Sequence, residues 1–230
     1  MTKLSIIIPC YNEEKTISLI LNKIKNLTLV GMEKEIIVVN DGSIDNTRNI
    51  LNQLADQKIK VIHHEKNLGK TPTIKTGLSQ ATGEFCIIQD ADLEYDPEDI
   101  KILLAAAQSG NLPVVYGSRR LKKQNSYSYL SYYLGANFIT FLTNLIYQQK
   151  LTDVETCYKL IKTDLLKKLN LQSKNYIFEN EVTAKLSNLG HKIKEVPISY
   201  YPRSKKEGKK INWRHGLEAL IATLKYKFLK

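Results

Sequence analysis

Cysteine is scarce in this chain and never paired. Cys10, Cys86 and Cys157 are its three cysteines; no CxxC and no zinc spacing joins them, which argues against a disulfide framework and for a reducing compartment. Cys10 and Cys86 sit among apolar strand residues and read as small core residues. Long apolar runs are lacking too. The longest candidate, Tyr133 to Tyr147, is interrupted by Asn137, Thr140 and Asn144, whereas a membrane-spanning helix needs about 20 mostly apolar residues. The N-terminal MTKLSIIIPCYNEE has too short an apolar run for a signal peptide and no small-residue cleavage site. A cytoplasmic protein is expected, with peripheral contact at a membrane surface left open. No Gly-x-Gly-x-x-Gly follows the first apolar run and no Gly-Lys-Ser/Thr occurs, which argues against a nicotinamide dehydrogenase and a P-loop phosphotransferase. No Ser/His/Asp arrangement is visible either. His63 and His64 are adjacent, so they face opposite sides of a strand and read as surface or edge residues.

What is present suits one α/β domain. The 230 residues are 43% hydrophobic and 25% charged, enough for a packed core and ordinary for a globular protein. The formal net charge of +11 points to an anionic partner: nucleic acid, an acidic membrane surface or phosphorylated substrates. Part of that charge is concentrated, because Arg203, Lys205, Lys206, Lys209, Lys210 and Arg214 crowd one short segment.

Strands and helices alternate along the first half. Leu4 to Ile8, Glu35 to Val39, Lys60 to His63, Phe85 to Gln89 and Val114 to Tyr116 read as strands. Helices are expected over Thr16 to Leu27, around Ile50 to Leu54 with Ser43 or Asp45 as cap, from Pro72 to Gln80, and from Pro97 to Ala107. The second half offers a long helix from Ser131 to Tyr147, a strand over Cys157 to Ile161 and a helix over Glu179 to Leu189. A strand over Lys192 to Tyr200 and an amphipathic helix over Asn212 to Phe228 follow. This order predicts a mostly parallel, Rossmann-like sheet flanked by helices in a single domain.

Ligands of such sheets bind outside the carboxyl ends of the strands. Three polar clusters fall there: Pro9-Cys10-Tyr11-Asn12-Glu13, Asn40-Asp41-Gly42-Ser43 and Asp90-Ala91-Asp92-Leu93-Glu94. Three in register imply a shared site. In an extended segment Asp90, Asp92 and Glu94 would point to one side. Hard oxygen ligands of this kind suit Mg2+ or Mn2+, held by carboxylates together with substrate phosphates.

The motifs SIIIPCYNEE, VVNDGS, NLGK, ATGEFCIIQDADLEYDPEDI and YGSRR resemble the successive motifs of family 2 glycosyltransferases with the GT-A fold. TDVETCYKLIKTDLL, FENEVTAKL and EVPISYYPRSKKEGKKINW resemble the branch of dolichol-phosphate-mannose synthases and other polyprenyl-phosphate glycosyltransferases. The resemblance runs from Leu4 to about Leu220. It implies a metal-dependent, inverting transfer of a hexose from a GDP- or UDP-sugar to a dolichyl or undecaprenyl phosphate, with a polysaccharide or other glycan acceptor in cell-envelope synthesis as the alternative. It further implies a nucleotide-sugar half over about residues 1–120 and an acceptor half over about 121–230. Pro9, Tyr11 and Glu13 would line the base and ribose pocket, and Val39 and Asp41 would hold the base edge. Asp90, Ala91 and Asp92 would meet ribose and diphosphate, with Asp90, Asp92 and Glu94 on the metal. Arg119 would reach the acceptor phosphate or the donor diphosphate, and Arg203 and Lys209 would close over the diphosphate. An acceptor hydroxyl would need a base, for which Glu179 or Glu181 are candidates; both also suit a helix N-terminus, which stabilises carboxylates. Two positions depart from the family pattern: Gly69-Lys70-Thr71-Pro72 replaces Gly-Lys-Gly-Ala, and His215 stands where aspartate is usual. A nucleic-acid-binding module is disfavoured, since no such motif appears and acidic strand ends would repel phosphates without a metal. A nucleotidyltransferase would need a glycine- and arginine-rich loop after Ile8, which is absent. The terminal helix, with Trp213, Leu217, Leu220, Ile221 and Leu224, would either pack on the core or meet lipid.

Overall fold

The computed structural model describes residues 2–54, 58–127, 129–173, 177–204 and 213–228, with the side chains at 213 and 214 left out. Seven strands form one sheet in the order β3-β2-β1-β4-β6-β5-β7. They are β1 (Thr2–Cys10), β2 (Met32–Asn40), β3 (Ile59–His63), β4 (Phe85–Ile88), β5 (Val114–Ser118), β6 (Lys159–Lys162) and β7 (Lys194–Pro197). The helices are α1 (Ile17–Asn26), α2 (Thr47–Leu54), α3 (Lys70–Gln80), α4 (Ile100–Ser109), α5 (Leu130–Tyr147), α6 (Thr163–Lys168), α7 (Phe178–Asn188) and α8 (Trp213–Phe228). A 3-10 turn over Pro97–Asp99 opens α4, and α6 is an element that the sequence pattern had not indicated.

The central strands are apolar on both faces because helices cover both. Leu4, Ile6, Ile7 and Ile8 of β1 and Val38 and Val39 of β2 are fully buried, as expected of inner parallel strands. α3 lies close on this layer: a Cβ added at Gly77 would stand 2.5 Å from Ile7 Cγ2. Asp45 rather than Ser43 caps α2, its Oδ1 accepting the Thr47 N–H at 3.0 Å.

Pro9 shapes the crevice. The last ladder bond between β1 and β4 is the Gln89 N–H to the Ile7 carbonyl at 2.9 Å. The next donor on that side of β1 would be residue 9, which as proline has no N–H. Pairing stops, and the chain after Gln89 leaves the sheet.

β6 is the one antiparallel member. It runs against both β4 and β5, so a strand from the second half separates two strands of the first. The expected halves share one sheet. α8 packs against α5 and α7 through buried Ala219, Ala222, Thr223 and Tyr226, and the Tyr147 hydroxyl donates to the Thr223 carbonyl at 2.7 Å. Leu217, Ile221 and Leu224 are exposed. The terminal helix therefore docks on the core by Ala219, Ala222, Thr223 and Tyr226 while Leu217, Ile221 and Leu224 face outward. No helix among the described residues is long and apolar enough to cross a membrane.

Candidate active site

The turns after β1 and β2 are laced together. Asn12 N–H donates to Ser43 Oγ at 2.9 Å, the Ile44 N–H donates to Asn12 Oδ1 at 2.9 Å, and Glu13 N–H donates to Thr47 Oγ1 at 2.9 Å. Gly42 adopts φ +68°, and an added Cβ would lie 2.4 Å from the Lys66 carbonyl carbon, so the turn after β2 abuts the turn after β3 backbone to backbone. Asp41 fastens that contact. Its Oδ1 and Oδ2 accept the Leu68 and Gly69 N–H groups at 2.9 Å each, and His64 Nδ1 lies 2.8 Å from Oδ1. His64 also reaches Thr76 Oγ1 at 2.9 Å. His64 follows the edge strand, as expected, and there it supports Asp41 from outside the cleft. Adjacent histidines in a sequence do not reveal that the chain leaves β3 beside Asp41.

The acidic segment after β4 departs from the extended form. Leu93 has φ +65°, which breaks the two-residue alternation of an extended segment. Asp90 pairs with Lys70 at 3.0 Å. Asp92 pairs with Arg203 Nη2 at 2.7 Å and accepts the Glu94 N–H at 3.1 Å. Glu94 instead receives the Tyr200 hydroxyl at 2.6 Å and the Arg203 N–H at 3.0 Å. Asp90, Asp92 and Glu94 all line the same cleft, and Arg203 reaches both Asp92 and Glu94; no group of three metal-binding side chains exists among the described residues. The Asp92 carboxyl is pushed up to about 7 by burial and by the nearby charges of Asp90 and Glu94.

Two cations hold these acids from opposite sides. Arg203 reaches Asp92, Glu13 Oε2 at 3.4 Å and Glu94 Oε1 at 3.6 Å. Lys70, the first residue of α3, bridges Asp90 and Glu179 Oε1 at 2.9 Å, with Cys157 Sγ at 3.9 Å. Burial works against the Lys70 charge, yet Asp90 and its other anionic neighbours keep its pKa above the ordinary lysine value.

The inner wall comes from the second half of the chain. Asp153 is buried and grips Arg119 at Nε (2.6 Å) and Nη2 (2.7 Å). Burial disfavours the carboxylate, but Arg119 more than offsets this and holds Asp153 below the usual range. The Arg119 guanidinium also lies 5.0 Å from the centre of the Tyr200 ring. Glu155 accepts from Asn180 Nδ2 at 2.7 Å, and burial together with the Glu179 charge pushes it up to about 7. Fully buried Lys159 pins the loop carrying Glu155 by donating to the Val154 and Thr156 carbonyls at 2.8 Å.

These elements enclose a cleft of about 650 Å³, in the usual size range of ligand sites. Of the residues singled out from the sequence, Pro9, Tyr11, Glu13, Asp41, Asp90, Ala91, Asp92, Glu94, Arg119, Glu179 and Arg203 line it. Val39 does not: it is fully buried, and its side chain faces Gly77 of α3. Glu181 does not either. Its carboxylate accepts the Gln172 and Ser173 N–H groups and pairs with Lys185 at 2.7 Å, away from the cleft. Lys209, like Lys205, Lys206 and Lys210, lies outside the described residues. Lys70, Tyr95, Glu155, Cys157 and Tyr200 line the cleft without having been assigned a role. Lys70 belongs to the NLGK motif, whose resemblance gave that lysine no role of its own.

Residues 5–169 match the family model described as Glycosyl transferase family 2. The chain belongs to that family. Among its relatives is an uncharacterized protein of Methanocaldococcus jannaschii, 33% identical over 84% of this chain and 86% of that one. Another is the undecaprenyl-phosphate 4-deoxy-4-formamido-L-arabinose transferase of Proteus mirabilis, 37% identical over 55% of this chain. The match spans only 40% of that transferase's length. Among solved structures, glucosyl-3-phosphoglycerate synthase of Mycobacterium tuberculosis, in complex with Mn2+, UDP and phosphoglyceric acid, superimposes with a TM-score of 0.72 at 18% identity. That likeness covers 100% of this chain and 80% of the synthase. This family 2 glycosyltransferase therefore has the GT-A fold, and its cleft occupies the position at the strand ends where open α/β sheets bind ligands.

Proposed function

We propose that the protein transfers a hexose, with inversion, from a nucleoside-diphosphate sugar to a polyprenyl phosphate at the cytosolic membrane face. The observation that carries this reading is the pair Asp90 and Asp92 at one end of the cleft, flanked by Lys70 and Arg203. Two aspartates from one turn fit Mg2+ or Mn2+ held jointly with substrate phosphates, and the raised Asp92 carboxyl marks a crowd of negative charge that a cation would relieve. Such a cation would stabilise charge developing on the departing diphosphate. Pro9, Tyr11, Glu13 and Asp41 line the neighbouring wall and form the nucleoside side of the site. The acceptor oxygen forms a bond to the anomeric carbon as the bond from that carbon to the nucleoside diphosphate breaks. Arg203 meets the negative charge on the leaving diphosphate. An acceptor phosphate is already anionic and needs no base. The name of the Proteus relative supports a polyprenyl-phosphate acceptor.

A second reading, transfer to a sugar hydroxyl, has one observation in its favour. Glu155 lines the cleft with a carboxyl pushed up to about 7, suited to a general base near neutral pH, whereas Glu179 is engaged by Lys70.

The test is a calorimetric panel of GDP, UDP and their hexoses with and without Mn2+, followed by transfer to geranyl phosphate. Metal-dependent binding of one nucleotide, lost in Asp92→Asn with the fold intact, is expected. Full transfer by Asp92→Asn, or in excess chelator, refutes the metal role. Transfer to a sugar acceptor that depends on Glu155, with none to geranyl phosphate, selects the second reading.

A further inference from the structure

Beside the cleft stands a guanidinium that the chemistry above does not use. Arg120 lies between two aromatic rings, 4.5 Å from the centre of Tyr127 and 4.1 Å from that of Tyr133. The two rings meet edge to face at 4.6 Å, and the Tyr127 hydroxyl is anchored on the Arg119 carbonyl at 3.3 Å. Arg120 Nε and Nη1 are buried and have no hydrogen-bond partner. The carboxylate that feels its charge, Asp153, already gives both oxygens to Arg119. Buried N–H groups of a cation without an acceptor are costly, and native structures rarely keep them unless a water or ion completes them. Two neighbouring arginines share one carboxylate, so the missing acceptor carries negative charge.

The rings also mark where an apolar surface begins. Tyr133 sits in the first turn of α5, and along that helix Leu130, Leu134, Phe138, Phe141 and Leu145 are exposed. Their spacing of four, four, three and four residues draws one stripe along the helix, about 22 Å long at 1.5 Å per residue. An unsatisfied cation at the head of an apolar stripe is complementary to a molecule with an anionic head and an apolar tail.

We propose that Arg120, framed by Tyr127 and Tyr133, binds the phosphate of a prenyl phosphate, and that the α5 stripe carries its hydrocarbon chain. The planar fork of arginine suits phosphate oxygens, and the rings fix its orientation while excluding competing water. The site takes its ligand class from the proposed function, but it is tested by binding without any transfer.

The experiment is calorimetry on the whole protein with geranyl phosphate, geraniol and inorganic phosphate. The wild type binds geranyl phosphate more tightly than either fragment. Arg120→Ala weakens that binding at least tenfold with UDP affinity unchanged, and Arg120→Lys, which keeps the charge but loses the fork, weakens it less. A Leu134→Ser, Phe138→Ser double variant weakens geranyl phosphate and leaves inorganic phosphate alone. Circular dichroism checks each fold, and Arg120→Lys carries the test if the alanine variant unfolds. The proposal is overturned by unchanged geranyl phosphate binding in the Arg120 variants, or by no binding in the wild type. Equal wild-type affinity for geranyl phosphate and inorganic phosphate also overturns it. Arg120-dependent binding without hexose transfer refutes the proposed function and leaves this site standing.

Discussion

Replacing Arg203 by alanine removes a side chain that touches Glu13, Asp92 and Glu94 together. The arginine side chain is 16% exposed and its partners 9–18%, so solvent does little to screen the three acids once the cation is gone. Breaking a buried ion pair costs about 3–5 kcal/mol. Residual exposure and the surviving backbone bond from residue 203 to Glu94 reduce this to about 2–4 kcal/mol. In a domain of this size about 2–4 °C of melting temperature accompany each kcal/mol, so a drop of roughly 4–16 °C is expected. The metal response has a definite sign. Without Arg203 the carboxylates lose the guanidinium's counter-charge, so Mg2+ should raise the melting temperature of the variant more than that of the wild type, where the cation must share Asp92 with the guanidinium. Differential scanning calorimetry in chelator and in Mg2+ measures both effects, and turnover should fall with any acceptor. A melting temperature within about 1 °C of wild type, with an equal metal response, would refute the charge-balance reasoning.

Asp41→Ala removes the acceptor of the Leu68 and Gly69 N–H groups, and should destabilise the fold by about 2–4 kcal/mol and weaken nucleoside diphosphate binding; unaltered melting and affinity would show that neither turn depends on it. Glu155 has a folded-state pKa of about 7 against an ordinary value of 4.5. The native state therefore holds a proton that the unfolded chain releases, and this contribution is complete below about pH 4.5 and lost as the pH rises through 7. Glu155→Gln should match wild type near pH 4.5 and exceed it by about 1–3 kcal/mol at pH 8. Urea midpoints at the two pH values decide this, and a pH-independent difference would sink the assignment.

The alternation of buried strands and amphipathic helices was legible because burial on both faces leaves continuous apolar runs such as Leu4 to Ile8. The clustering of the three polar strand ends was legible for the same reason, since parallel strands deliver their carboxyl ends to one side. Direction within the sheet was not. Nothing in the run Lys159-Leu160-Ile161 states that it lies antiparallel between β4 and β5. How the acids are partnered also stayed hidden, because the alternation expected of Asp90, Asp92 and Glu94 is broken at one left-handed residue, Leu93, and leucine gives no warning of positive φ. Glu179 and Glu181 look equivalent at the start of α7. Only the three-dimensional placement of Lys70 and of the 172–173 backbone draws one into the cleft and the other away.

The position of β6 has a consequence for synthesis. β4 is hydrogen-bonded on one side by β1, and the strand that covers its other edge is translated about seventy residues later. At about 5–20 residues per second the ribosome needs roughly 4–15 s to make that interval. During it, Phe85, Cys86, Ile87 and Ile88 present an unpaired, fully apolar edge of the kind that recruits other strands. A chain released after β5 would keep that edge permanently. Nascent chains stalled between residues 120 and 155 should therefore be captured by chaperones or aggregate, and those extended well past Lys162 should not.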